Sequence, residues 1–348
     1  MTQTKSREIR LNNRPEGLPR EIDFELAEVE LPEIGEGEIL VQNIYMSVDP
    51  YMRGRMVDQI SYLPPFQLSQ PLDGGCVGRV VESKNKQFQV DDFVLGMSGW
   101  REYFISDGTG LNKIDPKVAP IQAYLGTLGM PGLTAYCGLL EIGKPNVGET
   151  VFVSAASGAV GSIVCQIAKL KGCTVVGSAG SDAKVSWLLE KAGVDAAFNY
   201  KKVDNIIAEV DKHCPKGIDV YFENVGGVHL EAALEHMNKF GRIVMCGMIA
   251  IYNAPDPVPG PSNLFYIIGK RLTVKGLLVG DYFSKIPQFY TDMRKWIAED
   301  KIKWKETVVD GIENAPKAFI GLFKGENIGK MIVKIGPDEG DQKSTFVI

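Results

Sequence analysis

A chain of 348 residues, 45% hydrophobic and 23% charged, has the makeup of a soluble globular protein of about two domains. Its formal net charge of −5 gives no basic footprint for nucleic acid or an anionic membrane. No apolar run reaches the ~18 residues of a membrane span. Met1–Arg10 lacks the apolar core of a secretory signal. The six cysteines, Cys76, Cys137, Cys165, Cys173, Cys214 and Cys246, form no C-x-x-C pair. They read as reduced thiols buried in a core, so a cytoplasmic location is expected.

The first third holds short β-type runs, among them Ile39–Ile44, Gly78–Glu82 and Asp92–Leu95, broken by Pro32, Gly35, Gly37, Pro64, Pro65, Gly74 and Gly75. Strands at that spacing predict a compact barrel-like β unit. Near Leu125 the pattern changes. A strand over Thr150–Ala155 and a helix over Gly161–Lys171 are followed by a strand over Cys173–Ser178 and a helix over Ser181–Ala192. Ser181 suits the N-cap of that helix and Gly193 its stop. Further strands are expected over Asp219–Glu223, Arg242–Gly247 and Thr273–Val279. Apolar strands alternating with helices mean a parallel sheet covered on both faces. The tail returns to short elements such as Met331–Ile335, and Gly336–Ile348 reads as a loose terminus.

The strongest local signal is Val151-Phe-Val-Ser-Ala-Ala-Ser-Gly-Ala-Val-Gly161, a strand, a glycine turn and a helix. Without a Cβ, Gly158 lets backbone approach a pyrophosphate, and Gly161 lets the helix pack tightly on the strand. Ala159 and Val160 lie between them, where N–H groups at the start of the helix face the phosphates. NAD sites place a carboxylate about 20 residues further on, for the ribose 2′-hydroxyl. Here the second strand ends Val176-Gly-Ser-Ala-Gly180 with no acid, and Lys184 follows one turn into the next helix. A cation without a competing carboxylate favours a 2′-phosphate, hence NADPH.

The three histidines, His213, His229 and His236, all come late. Neither a catalytic nor a structural zinc set can be assembled from the β-rich first part, and no metal is expected. His229 and His236, seven apart, read as surface residues. No G-x-S-x-G elbow is present. Hydride addition to a conjugated β-carbon needs only modest electrophilic help at the carbonyl oxygen, which a tyrosine or a cofactor ribose hydroxyl supplies. Tyr252 stands out among twelve tyrosines because it follows the strand end Met245-Cys-Gly-Met and precedes the proline-rich loop from Pro255 to Pro261. Ligands of open α/β sheets bind beyond such strand ends. Tyr51 is the second candidate, for touching substrate.

Long stretches then carry a family resemblance over nearly the whole chain. They are Ser47-Val-Asp-Pro-Tyr-Met-Arg53, Gly126-Thr-Leu-Gly-Met-Pro-Gly-Leu-Thr-Ala-Tyr136, Ala155-Ala-Ser-Gly-Ala-Val-Gly161, Phe198-Asn-Tyr200, Glu223-Asn-Val-Gly-Gly227, Phe240-Gly-Arg242 and Asn327-Ile-Gly-Lys330. The chain resembles the zinc-independent medium-chain dehydrogenases/reductases, in the prostaglandin reductase and alkenal double-bond reductase branch. The resemblance implies an α/β fold: a Rossmann doubly wound parallel sheet over residues 126–304, plus a GroES-like β-rich substrate domain built from residues 1–125 and 305–348. It implies NADPH-dependent reduction of the C=C bond of enals and enones.

Carried over by residue, the resemblance places Lys184 and Tyr200 at the adenosine 2′-phosphate and Asn224 near the ribose and nicotinamide. Cys246, Gly247, Met248, Ile249, Ala250, Ile251 and Tyr252 would line the nicotinamide pocket with Leu277, Leu278 and Val279. Asn327 would reach the cofactor from the returning C-terminal segment, and Tyr252 would face the substrate carbonyl. Two positions depart from the usual pattern: Glu223 stands where Asp is common, and Ile249-Ala-Ile-Tyr252 is more apolar than usual. The second bears on substrate identity.

Arg271–Val279 reads as a long apolar last strand of the sheet, and the resembling family pairs it across a two-fold axis, so a homodimer is expected. The competing functions are a quinone reductase or secondary-alcohol dehydrogenase on the same fold, and a non-enzymatic NADPH-binding protein.

Overall fold

The computed structural model describes residues 4–338, so the proposed loose terminus falls largely outside the described residues. The chain divides into two units: residues 1–125, 307–326 and 331–348 form one, and residues 126–306 with 327–330 form the other. Short Asn327–Lys330 therefore belongs with the second unit, where sequence reading assigned it to the returning tail. The reason is hydrogen bonding: the Lys330 amide donates to Lys305 at 3.0 Å and the Gly329 amide to Ser157 at 2.8 Å.

In the first unit β1 (Thr4–Leu11) and β2 (Phe24–Leu31) pair antiparallel. A larger sheet follows with β3 (Ile39–Ser47), the short helix α1 (Met52–Arg55), β4 (Cys76–Ser83), β5 (Phe93–Gly96), β6 (Tyr103–Ser106) and β7 (Asn112–Lys113). The run Ile-Leu-Val-Gln-Asn-Ile-Tyr-Met-Ser of β3 is buried almost throughout, which suits a strand flanked by β4, β6 and the C-terminal part of the chain. Phe24, Trp100 and Phe319 pack in the core of this unit, with ring centroids 6.2–6.3 Å apart.

The second unit opens with α2 (Met130–Cys137), continued by a π-helical turn over Gly138–Gly143. The alternating elements are β8 (Thr150–Val153), α3 (Gly161–Leu170), β9 (Thr174–Ala179), α4 (Asp182–Glu190), β10 (Ala196–Asn199), α5 (Ile206–His213), β11 (Ile218–Glu223), α6 (Val228–His236), β12 (Met237–Met245), α7 (Phe265–Lys270), β13 (Thr273–Gly276) and α8 (Ile286–Ala298). The six strands lie in the order β10-β9-β8-β11-β12-β13, all parallel, with the reversal of order between β8 and β11. This is the Rossmann doubly wound sheet. Central β8 is buried at every position.

The last elements, β14 (Glu306–Asp310), α9 (Ala315–Lys324) and β15 (Lys330–Lys334), return to the large sheet of the first unit, where Ile332 to Lys334 pair with β3. That antiparallel-rich sheet is the GroES-like part.

Several boundaries differ from the sequence reading. β8 stops at Val153 because Ala155 takes a φ of +47°, a turn conformation no strand accepts. β12 begins five residues before Arg242 and ends at Met245, leaving Gly247 in the loop beyond it. The expected long last strand is only Thr273–Gly276, exposed at all four positions, and Val279 already begins a 3₁₀ turn. His229 is not a surface residue: it is 2% exposed. Of the six cysteines, all free, Cys246 is only half-buried.

Candidate functional site

Each sequence-predicted residue of the second unit lies just past the C-terminal end of a parallel strand or against such a loop. The Gly158 turn follows β8, Lys184 sits in the helix after β9, and Tyr200 follows β10. Asn224 follows β11, the run from Cys246 to Tyr252 follows β12, and Leu277 to Val279 follow β13. Asn327 joins them through its neighbour Gly329, which bridges to Gly158, and its Nδ2 donates to the Gly329 carbonyl at 2.7 Å. Ligands of open α/β sheets occupy this end, at the reversal of strand order.

The glycine turn is built for close approach. A Cβ on Gly161 would stand 2.5 Å from the Ala155 carbonyl oxygen, so only glycine lets α3 start there. The amides of Ser162, Ile163 and Val164 donate to the carbonyls of Gly158 and Val160. Among the described residues no protein acceptor takes the amides of Ala159 and Val160. Two N–H groups at the head of a buried helix suit a pyrophosphate.

The adenosine end is cationic. Ser181 caps α4 by accepting the Lys184 amide, which fixes where that lysine leaves the helix. Lys184 is nine-tenths buried, and burial together with the nearby Lys201 ammonium holds its pKa below the usual lysine range. Two like charges near one another gain from an anion that neutralises both. A Cβ on Gly180 would meet the Tyr200 ring and hydroxyl at 3.3 Å and the Lys201 Cε at 3.4 Å, so both residues lie against the end of β9. The adjacent acid, Asp182, is turned to Asn199 and Lys202 instead. Sequence reading missed Lys201; its place one residue after Tyr200, past a strand end, was the available signal.

At the reversal point β8 and β11 are joined by side chains. Ser154 donates to the Glu223 carboxylate at 2.9 Å and accepts the Asn224 amide at 2.9 Å, while Asn224 Nδ2 donates to the Ser154 carbonyl at 2.8 Å. Glu223 also accepts the Val225 amide at 2.6 Å, and its carbonyl takes the amides of Cys246 and Gly247, each at 3.0 Å. Burial raises the Glu223 pKa against those hydrogen bonds. Ser154 and Glu223 were not predicted as site residues. They hold Asn224 and the β12 loop in one framework, a role visible only once β8 and β11 are neighbours.

The β12 loop carries Tyr252. The Ile249 amide donates to Asn224 at 3.2 Å and the Ala250 amide to Val225 at 3.0 Å, which seats a 3₁₀ turn over Ile249–Ile251. Tyr252 follows with its hydroxyl oxygen accepting the Met248 amide at 3.1 Å. Burial raises its pKa, and the Met248 hydrogen bond opposes that rise. At neutral pH the group is therefore a protonated phenol.

Tyr51 lies in the first unit. It caps α1, packs partly buried on that unit's core, and is held protonated by burial and the Asp49 carboxylate. Among the described residues, no group of three or more His, Cys, Asp or Glu side chains is arranged to hold a metal ion.

Two family models match the chain, one described as the N-terminal domain of oxidoreductase over residues 7–114 and one as zinc-binding dehydrogenase over residues 159–299. Prostaglandin reductase 1 of Bos taurus is 49% identical over 91% of this chain and 95% of its own. The 2-alkenal reductase (NADP(+)-dependent) of Nicotiana tabacum is 46% identical over 96% of this chain and 98% of its own. The crystal structure of CurA in complex with NADPH from Vibrio vulnificus has a TM-score of 0.91 and 41% identity, covering 95% of this chain and 100% of that one.

Proposed function

The chain belongs to the medium-chain dehydrogenase/reductase family, in its NADP-dependent reductase branch, and we propose that it reduces the carbon–carbon double bond of small α,β-unsaturated aldehydes and ketones. It is an NADP-dependent oxidoreductase; the enal and enone specificity is the proposal. The observation that carries it is the Tyr252 hydroxyl, a neutral donor held by the Met248 amide beyond the end of β12.

The residues present fit the dinucleotide. The turn Gly158, Ala159, Val160 and Gly161 would take the pyrophosphate, where a Cβ on Gly161 would fill the turn. Lys184, Lys201 and Tyr200 would take the 2′-phosphate, and Asn224, Asn327, Leu277 to Val279 and the β12 loop the nicotinamide end. When bound, NADPH supplies a hydride. The protein's own task is to stabilise charge developing on the substrate's carbonyl oxygen, and a hydroxyl donor set in advance does so without reorganising. Tyr252 keeps its proton there, and the α-carbon proton comes from solvent. Tyr51 is proposed as a second substrate contact, zinc plays no part, and the protein is a cytoplasmic homodimer in this reading.

A panel of enals, enones, quinones and alcohols followed by NADPH absorbance tests it. Turnover of conjugated carbonyls to saturated products is expected. Turnover of quinones or alcohols alone would move the assignment to those acceptors. Tight NADPH binding without any turnover would make the protein a non-enzymatic binder.

A further inference from the structure

Past the end of β12 the backbone closes a small ring on its own side chain. The Met248 amide donates to the Tyr252 hydroxyl oxygen at 3.1 Å, and the Ile251 amide returns to the Met248 carbonyl at 3.0 Å. Gly247 is the wall of this ring. A Cβ built there would stand 3.1 Å from the Tyr252 hydroxyl oxygen and 3.5 Å from the Asn224 carbonyl oxygen. Gly247 is not among the glycines with positive φ, so its backbone does not demand glycine. Its missing side chain supplies room, and its amide bond to the Glu223 carbonyl fixes where that room lies.

A phenol has one proton to give and lone pairs to receive. The Met248 N–H occupies the receiving side, which leaves the O–H proton for a ligand. We propose that Gly247 and the Met248 amide together position the Tyr252 hydroxyl as the donor to the acceptor's carbonyl oxygen. This rests on the reading of Tyr252 as that donor. A methyl group at residue 247 displaces the hydroxyl by about a few tenths of an ångström, because a carbon–oxygen contact of 3.1 Å is inside the comfortable van der Waals range. Donors to developing charge act within a narrow range of distances, so a shift of that size lowers the rate while leaving the hydroxyl in place. Gly247 is thus a positioning residue.

The experiment compares the wild type, Gly247→Ala, Tyr252→Phe and the double variant, at saturating NADPH on one enone, with NADPH affinity measured by fluorescence. In parallel, 3-fluorotyrosine is placed at residue 252, and its ¹⁹F signal is titrated without substrate in the wild-type and Gly247→Ala backgrounds. Gly247→Ala is expected to lower kcat about three- to tenfold, less than removal of the hydroxyl. It should cost nothing further once Tyr252→Phe is present, because the phenyl ring has no oxygen to displace. The fluorophenol should titrate higher in Gly247→Ala, since the amide that favours its ionised form is pushed away. Cys246 and Glu223, which also face Tyr252, are the same in both backgrounds.

Full kcat in Tyr252→Phe would overturn the donor reading and the positioning role with it. A loss in Tyr252→Phe with a wild-type rate in Gly247→Ala would overturn the positioning role alone. So would a Gly247→Ala loss that persists in the double variant, or an unmoved ¹⁹F titration.

Discussion

Tyr200 and His229 meet edge to face, with ring centroids 5.0 Å apart and planes 81° apart. The histidine is buried, its Nε2 has no hydrogen-bond partner, and burial pulls its pKa down to about 4. The fold therefore needs the neutral ring beside a tyrosine proposed for the 2′-phosphate.

In the unfolded chain this imidazole takes up a proton near its ordinary value, 6.5, while the folded protein resists it down to about 4. The unfolded state then binds more protons across that window, so stability is lost as pH falls from 6.5 towards 4. The loss from this group reaches about 3 kcal/mol by pH 4. His229→Phe keeps a ring against Tyr200 and should remove that part of the pH dependence. Urea unfolding of both proteins across the window measures it; equal slopes would show that the histidine titrates normally.

Lys184→Ala should weaken NADPH by about ten- to a hundredfold and leave NADH nearly unchanged. The lysine is nine-tenths buried near Lys201, and the adjacent acid, Asp182, is engaged with Asn199 and Lys202. Equal losses for the two cofactors in titration calorimetry would remove Lys184 from the phosphate site.

Metal independence is a separate expectation. His213 is engaged with Glu209 at 2.9 Å and His236 lies 3.5 Å from Asp211, both on the second unit. Exhaustive chelation should leave the rate unchanged, and elemental analysis should find no stoichiometric zinc. Zinc that tracks with activity through purification would refute this.

β13 ends the order of the parallel sheet and is exposed along its whole length, Val274 included. An open strand edge invites pairing, and a two-fold axis there would continue the sheet. Light scattering at micromolar concentration should give the mass of a dimer; a monomer mass would reject it.

What was legible in the sequence followed from local rules. Strand, glycine turn and helix over Thr150 to Leu170 specify one another, and the Ser181 cap fixed the start of α4. The residues overlooked act across the chain. Ser154 and Glu223 are 69 positions apart and become partners only because β8 lies beside β11. Likewise Arg242, in the Phe240-Gly-Arg242 motif, turns out to tie the Gly143 and Lys144 carbonyls and Glu149 together, a structural pin far along the chain. The last strand was overestimated because apolar Leu277 serves packing beyond the strand: it is buried, and Gly138 could not carry a Cβ beside it, while Leu278 is exposed and Val279 begins a 3₁₀ turn.

The remaining prediction concerns the chemistry. A conjugated carbonyl reduced at its β-carbon gathers negative charge on oxygen, and in the proposed metal-free reaction a protein or cofactor group must donate a hydrogen bond there. The Tyr252 hydroxyl is protonated at neutral pH, since burial raises its pKa. Removing one donor aimed at developing charge costs about 2.7–4 kcal/mol, less where a second donor shares the load. Tyr252→Phe should therefore lower kcat for an enone by about ten- to a hundredfold with NADPH affinity little changed. The product should be the saturated carbonyl compound, identified by mass spectrometry and NMR. Allylic alcohol would mean that reduction occurs at the carbonyl carbon, where a tyrosine would have to give up its proton fully. A full rate in Tyr252→Phe with chemistry rate-limiting would instead leave double-bond reduction standing and remove Tyr252 as its essential donor.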